Sequence, residues 1–126
     1  MSTVGVLVVD DDGEICDLYS SILQSVGLPV RCVTTRAEAV AANDRPACVI
    51  LDWELPDGSG LDVALALHRR WGRDLPIILV TGASLRSEDV TAAGVTDWLS
   101  KPFEMDEVVR TVRAVVDHAR ANQRPI

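Results

Sequence analysis

The chain has no apolar run long enough to cross a bilayer. Its opening stretch, Val4 to Val9, is far short of the roughly 20 residues that a spanning helix needs. That stretch also lacks the basic residues that precede a signal-peptide core, and it runs straight into three aspartates. Neither export nor membrane insertion is expected. Nor is there a basic cluster: the densest group, Arg69, Arg70 and Arg73, suits a solvated helix end, and the net charge is −7. Direct nucleic-acid binding, which relies on clustered Lys and Arg, is not expected of this domain. Cysteines are few, odd in number and far apart. Cys16, Cys32 and Cys48 all fall in apolar segments without the close spacing of a metal site. They read as reduced, buried thiols of a cytoplasmic protein. No internal repeat is found, and the only linker-like stretch is Asn122 to Ile126. The expected organisation is one domain over 1–121 and a C-terminal tail or linker stump over 122–126.

What is present is an alternation. With 126 residues, nearly half of them apolar, one domain can bury roughly two thirds of its unfolded surface. Apolar runs of strand length occur at Val4–Val9, Val30–Thr34, Ala47–Leu51, Ile77–Val80 and, more weakly, Val95–Leu99. Between them lie helical patterns. Ile15, Leu18, Tyr19, Ile22, Leu23 and Val26 form one stripe ended by Gly27. A second helix starts at Thr35, which makes a capping box with Glu38, and its predicted apolar face is Ala37, Val40 and Ala41. Further helices are predicted over Ser59–Trp71, Ser84–Ala93 and Glu104–Ala121, the last with Val108, Val109, Val112, Val115 and Val116 inward. Strands apolar along their whole length imply a parallel sheet covered on both faces. The predicted fold is therefore α/β, a single (βα)5 doubly wound domain. Its parallel five-stranded sheet takes the flavodoxin-like order 2-1-3-4-5, with function at the carboxyl ends of the strands.

Chemistry-bearing residues stand at those ends. Asp10, Asp11 and Asp12 follow the first strand, Asp52 the third, Thr81 and Gly82 the fourth, and Lys101-Pro102 the fifth. Each has a bland reading alone: Asp12 and Gly13 as a helix cap, Asp52 as a turn residue, Thr81 as a cap, Lys101 as a solvated side chain. All four groups nevertheless share one edge of the predicted sheet. Adjacent first and third strands crowd several carboxylates together, which suits a hard divalent ion such as Mg2+. A hydroxyl, a free backbone N–H and a lysine then complete the parts needed for phosphoryl transfer to an aspartate.

The run Val8-Val9-Asp10-Asp11-Asp12 resembles the acidic start of response-regulator receiver domains, the CheY-like modules of two-component signalling. Leu51-Asp52-Trp53-Glu54-Leu55-Pro56-Asp57-Gly58-Ser59-Gly60 resembles their phosphoacceptor loop, with proline four and glycine eight residues after the aspartate. Val80-Thr81-Gly82-Ala83 and Leu99-Ser100-Lys101-Pro102-Phe103 are similar to the two remaining signatures. The resemblance covers about residues 4 to 120. It implies phosphorylation at Asp52. It implies Mg2+ held by Asp11, Asp52 and the backbone carbonyl of Glu54, with Asp10 assisting through water. Thr81 and Lys101 would contact the phosphoryl group with Gly82, Lys101–Pro102 would be cis, and Trp98 would stand at an aromatic switch position. Glu54 and Ala83 would occupy the positions that tune dephosphorylation, and Ser59 stands where aspartate is frequent. The implied partners are a histidine kinase or histidine phosphotransfer protein and a downstream protein or fused output domain. A homodimer through the fourth helix, fifth strand and fifth helix is a further option. Three rivals remain at this stage. One is a haloacid-dehalogenase-type phosphatase, with Asp10 as nucleophile and Asp12 as general acid, although the later acidic motif is lacking. An FMN binder of the same architecture would be repelled by the aspartates. The third is a receiver-like interaction module that is never phosphorylated.

Overall fold

The structure is a computed structural model that describes residues 5–82 and 87–122, with backbone only at 87, 89 and 119–122. Five parallel strands, β1 (Val6–Val9), β2 (Val30–Val33), β3 (Cys48–Asp52), β4 (Ile77–Thr81) and β5 (Asp97–Ser100), form one sheet in the order β2-β1-β3-β4-β5. The helices are α1 (Gly13–Ser25), α2 (Arg36–Val40), α3 (Gly60–Trp71), α4 (Ser87–Ala93) and α5 (Met105–Asn122). Successive strand residues face opposite ways, so β1 serves two cores. Val6 and Val8 pack with Tyr19 and Leu23 of α1 and Val108 and Val112 of α5. Leu7 and Val9 pack with Ala39 of α2, Val63 and Leu67 of α3 and Ala93 of α4. The expected doubly wound fold and strand order are both present. No helix among the described residues is long and apolar enough to cross a membrane.

The strand ends differ from the apolar runs for a simple reason. Backbone pairing continues past the last apolar residue, joining Asp52 to Val80 and Thr81 to Ser100. The fifth strand starts later than predicted because Thr96 leaves the ladder pattern. Its N–H donates to Ile77 O at 2.8 Å, and its hydroxyl accepts from Ile77 N at 3.3 Å. As an edge strand β5 buries only Leu99 of its four residues, which explains its weak apolar signal. Val4, residues 83–86 (including Ala83 and the expected start at Ser84) and the tail over 123–126 lie outside the described residues.

Two helix faces depart from the predicted ones. On α1 the inward residues are Cys16, Tyr19 and Leu23, with Ile15 and Ile22 half-buried, and Leu18 is left 48% exposed. On α2 the predicted face of Ala37, Val40 and Ala41 is exposed, while Ala39 and Ala42 are buried. An alanine-rich segment only five residues long carries no clear helical period, and its caps set its orientation instead. Thr35 Oγ1 accepts from Glu38 N at 3.2 Å, and Glu38 Oε1 takes the Thr34 N–H at 3.3 Å, one residue earlier than in a standard capping box.

Cys16 and Cys48 are buried and Cys32 is half-buried, all three as free thiols. Burial raises the Cys16 and Cys32 thiols and pushes Cys48 up to about 12. The thiolate is the reactive form. Native protein at pH 8 is therefore expected to resist labelling of Cys48 by a thiol-specific disulfide reagent, whereas denatured protein releases three equivalents. Fast labelling of Cys48 in the folded state would contradict this packing.

Candidate functional site

The pairing of β1 with both β2 and β3 sets Asp10 one residue beyond β1, beside Asp52, the last residue of β3. Asp10, Asp52 and Thr81 are buried, at 2%, 5% and 0% exposure, in a sheet whose other buried residues are apolar. Asp10, Asp11 and Asp52 each bring a carboxylate oxygen within 4.8 Å of the others. Asp10 Oδ1 accepts the Asp12 N–H at 2.9 Å, and Asp52 Oδ1 accepts the Glu54 N–H at 3.1 Å. Asp52 Oδ2 lies 3.7 Å from Lys101 Nζ, the only lysine of the sequence. The Lys101–Pro102 peptide is cis, as the sequence resemblance implies. Asp12 stands apart from the cluster, because its carboxylate caps α1 through Glu14 N and Ile15 N at 3.0 and 3.4 Å. That role removes the general acid which the phosphatase alternative requires.

After Asp52 the chain makes a short hairpin, pairing Glu54–Leu55 with Gly58–Ser59, which the sequence reading did not foresee. Its roots are fixed by Trp53 N to Val80 O (2.9 Å) and Gly60 N to Trp53 O (2.7 Å). A Cβ at Gly60 would meet Trp53 Cα at 2.8 Å, so this return needs glycine. Ser59 then caps α3, accepting from Asp62 N at 3.4 Å. Hairpin and strand ends enclose a cavity of about 420 Å3 lined by Asp11, Asp52, Glu54, Leu55, Pro56, Gly82 and Lys101. A larger cleft of about 700 Å3 runs between α3 and α4 past His68, Arg69 and Arg73, without converging carboxylates. Thr81 ends the strand beside the site. Trp98 lies away from it on β5 and is 44% exposed. Sequence reasoning missed Asp57, whose carboxylate reaches across to α2; a lone turn aspartate gives no signal of that.

Burial is the largest influence on both inner carboxylates and raises the pKa of each. Asp10 is eased first by the Asp12 N–H and Asp52 by the Glu54 N–H; the neighbouring charges of Asp11 and Asp12 raise Asp10 further, and those of Asp10 and Asp11 raise Asp52. A raised carboxyl pKa means that the folded state disfavours the ionised form. Stability is then lost as pH rises from the ordinary carboxylate value through the raised one, and the full penalty applies at neutral pH. Oxygen donors of this kind, gathered without a soft ligand, suit a hard divalent cation.

A family model, response regulator receiver domain, matches residues 6–113. The chain belongs to that family. The receiver domain is 34% identical over 115 residues to the response regulator TodT of Pseudomonas putida, covering 88% of this chain and 50% of the relative. It spans about half the length of the curated relatives it matches. One similar solved structure is the receiver domain of the Pseudomonas aeruginosa sensor histidine kinase PA1611, with magnesium coordinated in its active-site cleft. The two share 26% identity and a TM-score of 0.81, over 92% of this chain and 99% of that one. Another is the Thermotoga maritima response regulator TrrA in complex with Mg2+ and BeF, with 30% identity and a TM-score of 0.79 over 90% and 99%. This chain is thus a signalling domain of two-component systems, in a family that works with histidine kinases and output domains, and the rival readings are not favoured.

At pH 7.5 in chelator, Asp52→Asn is expected to raise the melting temperature by about 4 °C or more, the shift that roughly 1 kcal/mol gives a domain of this size. Mg2+ should raise the wild-type value and leave the variant nearly unmoved. Both differences should shrink as pH falls below the ordinary carboxylate range. Thermal melts across pH, with and without Mg2+, measure this, and a destabilised Asp52→Asn would contradict it.

Proposed function

We propose that Asp52 accepts a phosphoryl group from a phosphohistidine on a histidine kinase or histidine phosphotransfer protein. The observation that carries this reading is the division of labour at Asp52. One carboxylate oxygen is anchored on the Glu54 N–H and the other lies toward Lys101, at the open end of the sheet. The free oxygen attacks phosphorus in line, an O–P bond forms, the N–P bond breaks, and its electron pair stays on the imidazole nitrogen. Asp11, Asp52 and the Glu54 carbonyl would hold Mg2+, with Asp10 assisting through water. When bound, that ion supplies positive charge against the phosphoryl oxygens. Lys101, already next to Asp52 Oδ2, supplies further positive charge, and the Thr81 hydroxyl and Gly82 N–H donate hydrogen bonds. Glu54, whose side chain is exposed at the cavity rim, tunes the later loss of the phosphoryl group.

Drawing Thr81 toward the new charge would free the space that lets Trp98 turn inward, altering the surface of α4, β5 and α5. That surface would then select a downstream partner, a fused output domain or a second copy of the chain, in the cytoplasm. About half of each of these curated relatives lies outside the matched region, which leaves room for such an output domain.

Intact-protein mass after incubation with Mg2+ and acetyl phosphate tests the acceptor. One added phosphoryl group is expected on wild type and Asp10→Asn is expected to be slower, while Asp52→Asn stays unlabelled. Label that survives in Asp52→Asn but disappears in Asp10→Asn would transfer the role to Asp10. Crystals of unmodified and beryllofluoride-bound protein test the switch: the Trp98 side chain is expected to change rotamer, and an identical rotamer in both would end that part of the proposal.

A further inference from the structure

The hairpin that walls the cavity is also tied at its tip. Asp57 sits there, and its two carboxylate oxygens accept separate backbone N–H groups of α2: Arg36 N to Oδ1 at 2.7 Å and Ala37 N to Oδ2 at 3.2 Å. These are the first two residues of that helix. Their N–H groups have no partner within a helix, so an acceptor must come from elsewhere. The local cap, Thr35, serves the third residue, Glu38. The N-terminus of α2 is therefore capped by two segments, one adjacent and one about twenty residues further along the chain. A carboxylate on two helix N–H groups is a charge-assisted, two-point attachment with a defined direction. The Arg36 N–H is the leading cause that lowers the Asp57 carboxyl pKa. Gly58 belongs to the same arrangement, since a Cβ there would come within 2.8 Å of Arg36 Cδ. The arginine stem lies across the hairpin there and would have to shift to admit a larger residue.

We propose that Asp57 is a positioning residue for the metal-and-phosphoryl cavity: by clamping the hairpin tip to α2 it fixes where Glu54 and Pro56 stand relative to Asp52. Glu54, Leu55 and Pro56 are three of the cavity's lining residues, and all lie between the hairpin root at Trp53 and the clamp at Asp57. A segment held at both ends keeps its shape, whereas one held only at the root can swing about it. Outer contacts that orient a ligand without touching the metal typically change metal affinity by about 10- to 100-fold. This inference rests on the proposed function for the identity of the cavity's occupant.

The test is a Mg2+ titration followed by tryptophan fluorescence, Trp53 being the residue after Asp52, with phosphorylation by acetyl phosphate measured on the same samples. Asp57→Ala is expected to raise the Mg2+ dissociation constant about tenfold. It should slow labelling of Asp52 at low Mg2+ and recover most of the wild-type rate at saturating Mg2+. Asp57→Asn keeps one acceptor oxygen and should fall between the two. Thr35→Ala controls for simple loss of α2 stability: it removes the local cap and should lower the melting temperature while leaving Mg2+ affinity within twofold of wild type. If wild type binds Mg2+ and is labelled at Asp52, but Asp57→Ala binds Mg2+ within twofold of wild type, the clamp is overturned and the functional reading stands. Equal affinity losses in Thr35→Ala and Asp57→Ala would also overturn it, by making general destabilisation the cause. If wild type binds Mg2+ but takes no label, the functional reading fails and the affinity comparison alone decides the clamp. A wild type that does not bind Mg2+ overturns both.

Discussion

Everything near the carboxyl edge of this sheet is arranged around negative charge held where water is scarce. Two buried carboxylates, Asp10 and Asp52, have oxygens within 4.8 Å of each other, and Asp11 completes the group. At an effective dielectric near 20, two such charges repel by about 3 kcal/mol, a large fraction of a small domain's stability. Lys101, at 3.7 Å from Asp52, offsets part of this. The rest is borne by the two cores beneath, whose central strands β1, β3 and β4 are buried along their full length. The chain keeps this charge instead of replacing it with apolar packing, a local departure from the rules of a stable core of the kind that functional sites carry.

Backbone donors decide how the stored charge is directed. Asp10 takes the N–H of Asp12 and Asp52 takes that of Glu54, each two residues further along. Such bonds stabilise the ionised form and also fix one oxygen of each group, so that the other oxygen has a defined position. Asp12 is kept out of the cluster by capping α1. Three consecutive aspartates thus do three different things, and their burial and hydrogen bonds tell them apart.

The fold was legible because the three central strands are apolar on both faces and short strand-like runs alternate with helical segments along the chain, a pattern that few architectures satisfy. Asp10, Asp11, Asp52, Thr81 and Lys101 could be placed together because each follows a strand, and strand order alone brings such residues to one edge. What failed to show depended on tertiary context. The period of α2 was ambiguous because alanines on all sides carry no direction, and Ala39 and Ala42 turned out to be the buried ones. Leu18 on α1 looked like a core residue by spacing alone, yet the inward arc is narrower than the apolar one and leaves it half exposed. The reach of Asp57 to α2 joins residues about twenty apart with no sequence period between them.

The same construction limits where a change at Asp52 can be felt. β3 and β4 are buried at every position, and close-packed interiors do not deform continuously, so added charge cannot be absorbed by the central strands. Movement has to go to elements that few buried contacts hold. β5 meets that condition: it is an edge strand with one buried residue in four, paired directly to Thr81 through Ser100 and carrying the exposed Trp98. α2 and the hairpin tip are the other lightly packed parts, but there the carboxylate of Asp57 takes the place of missing core contacts. One side of the site is thus clamped and the other is compliant, so the movement proposed to follow phosphorylation of Asp52 would fall on the β5 side.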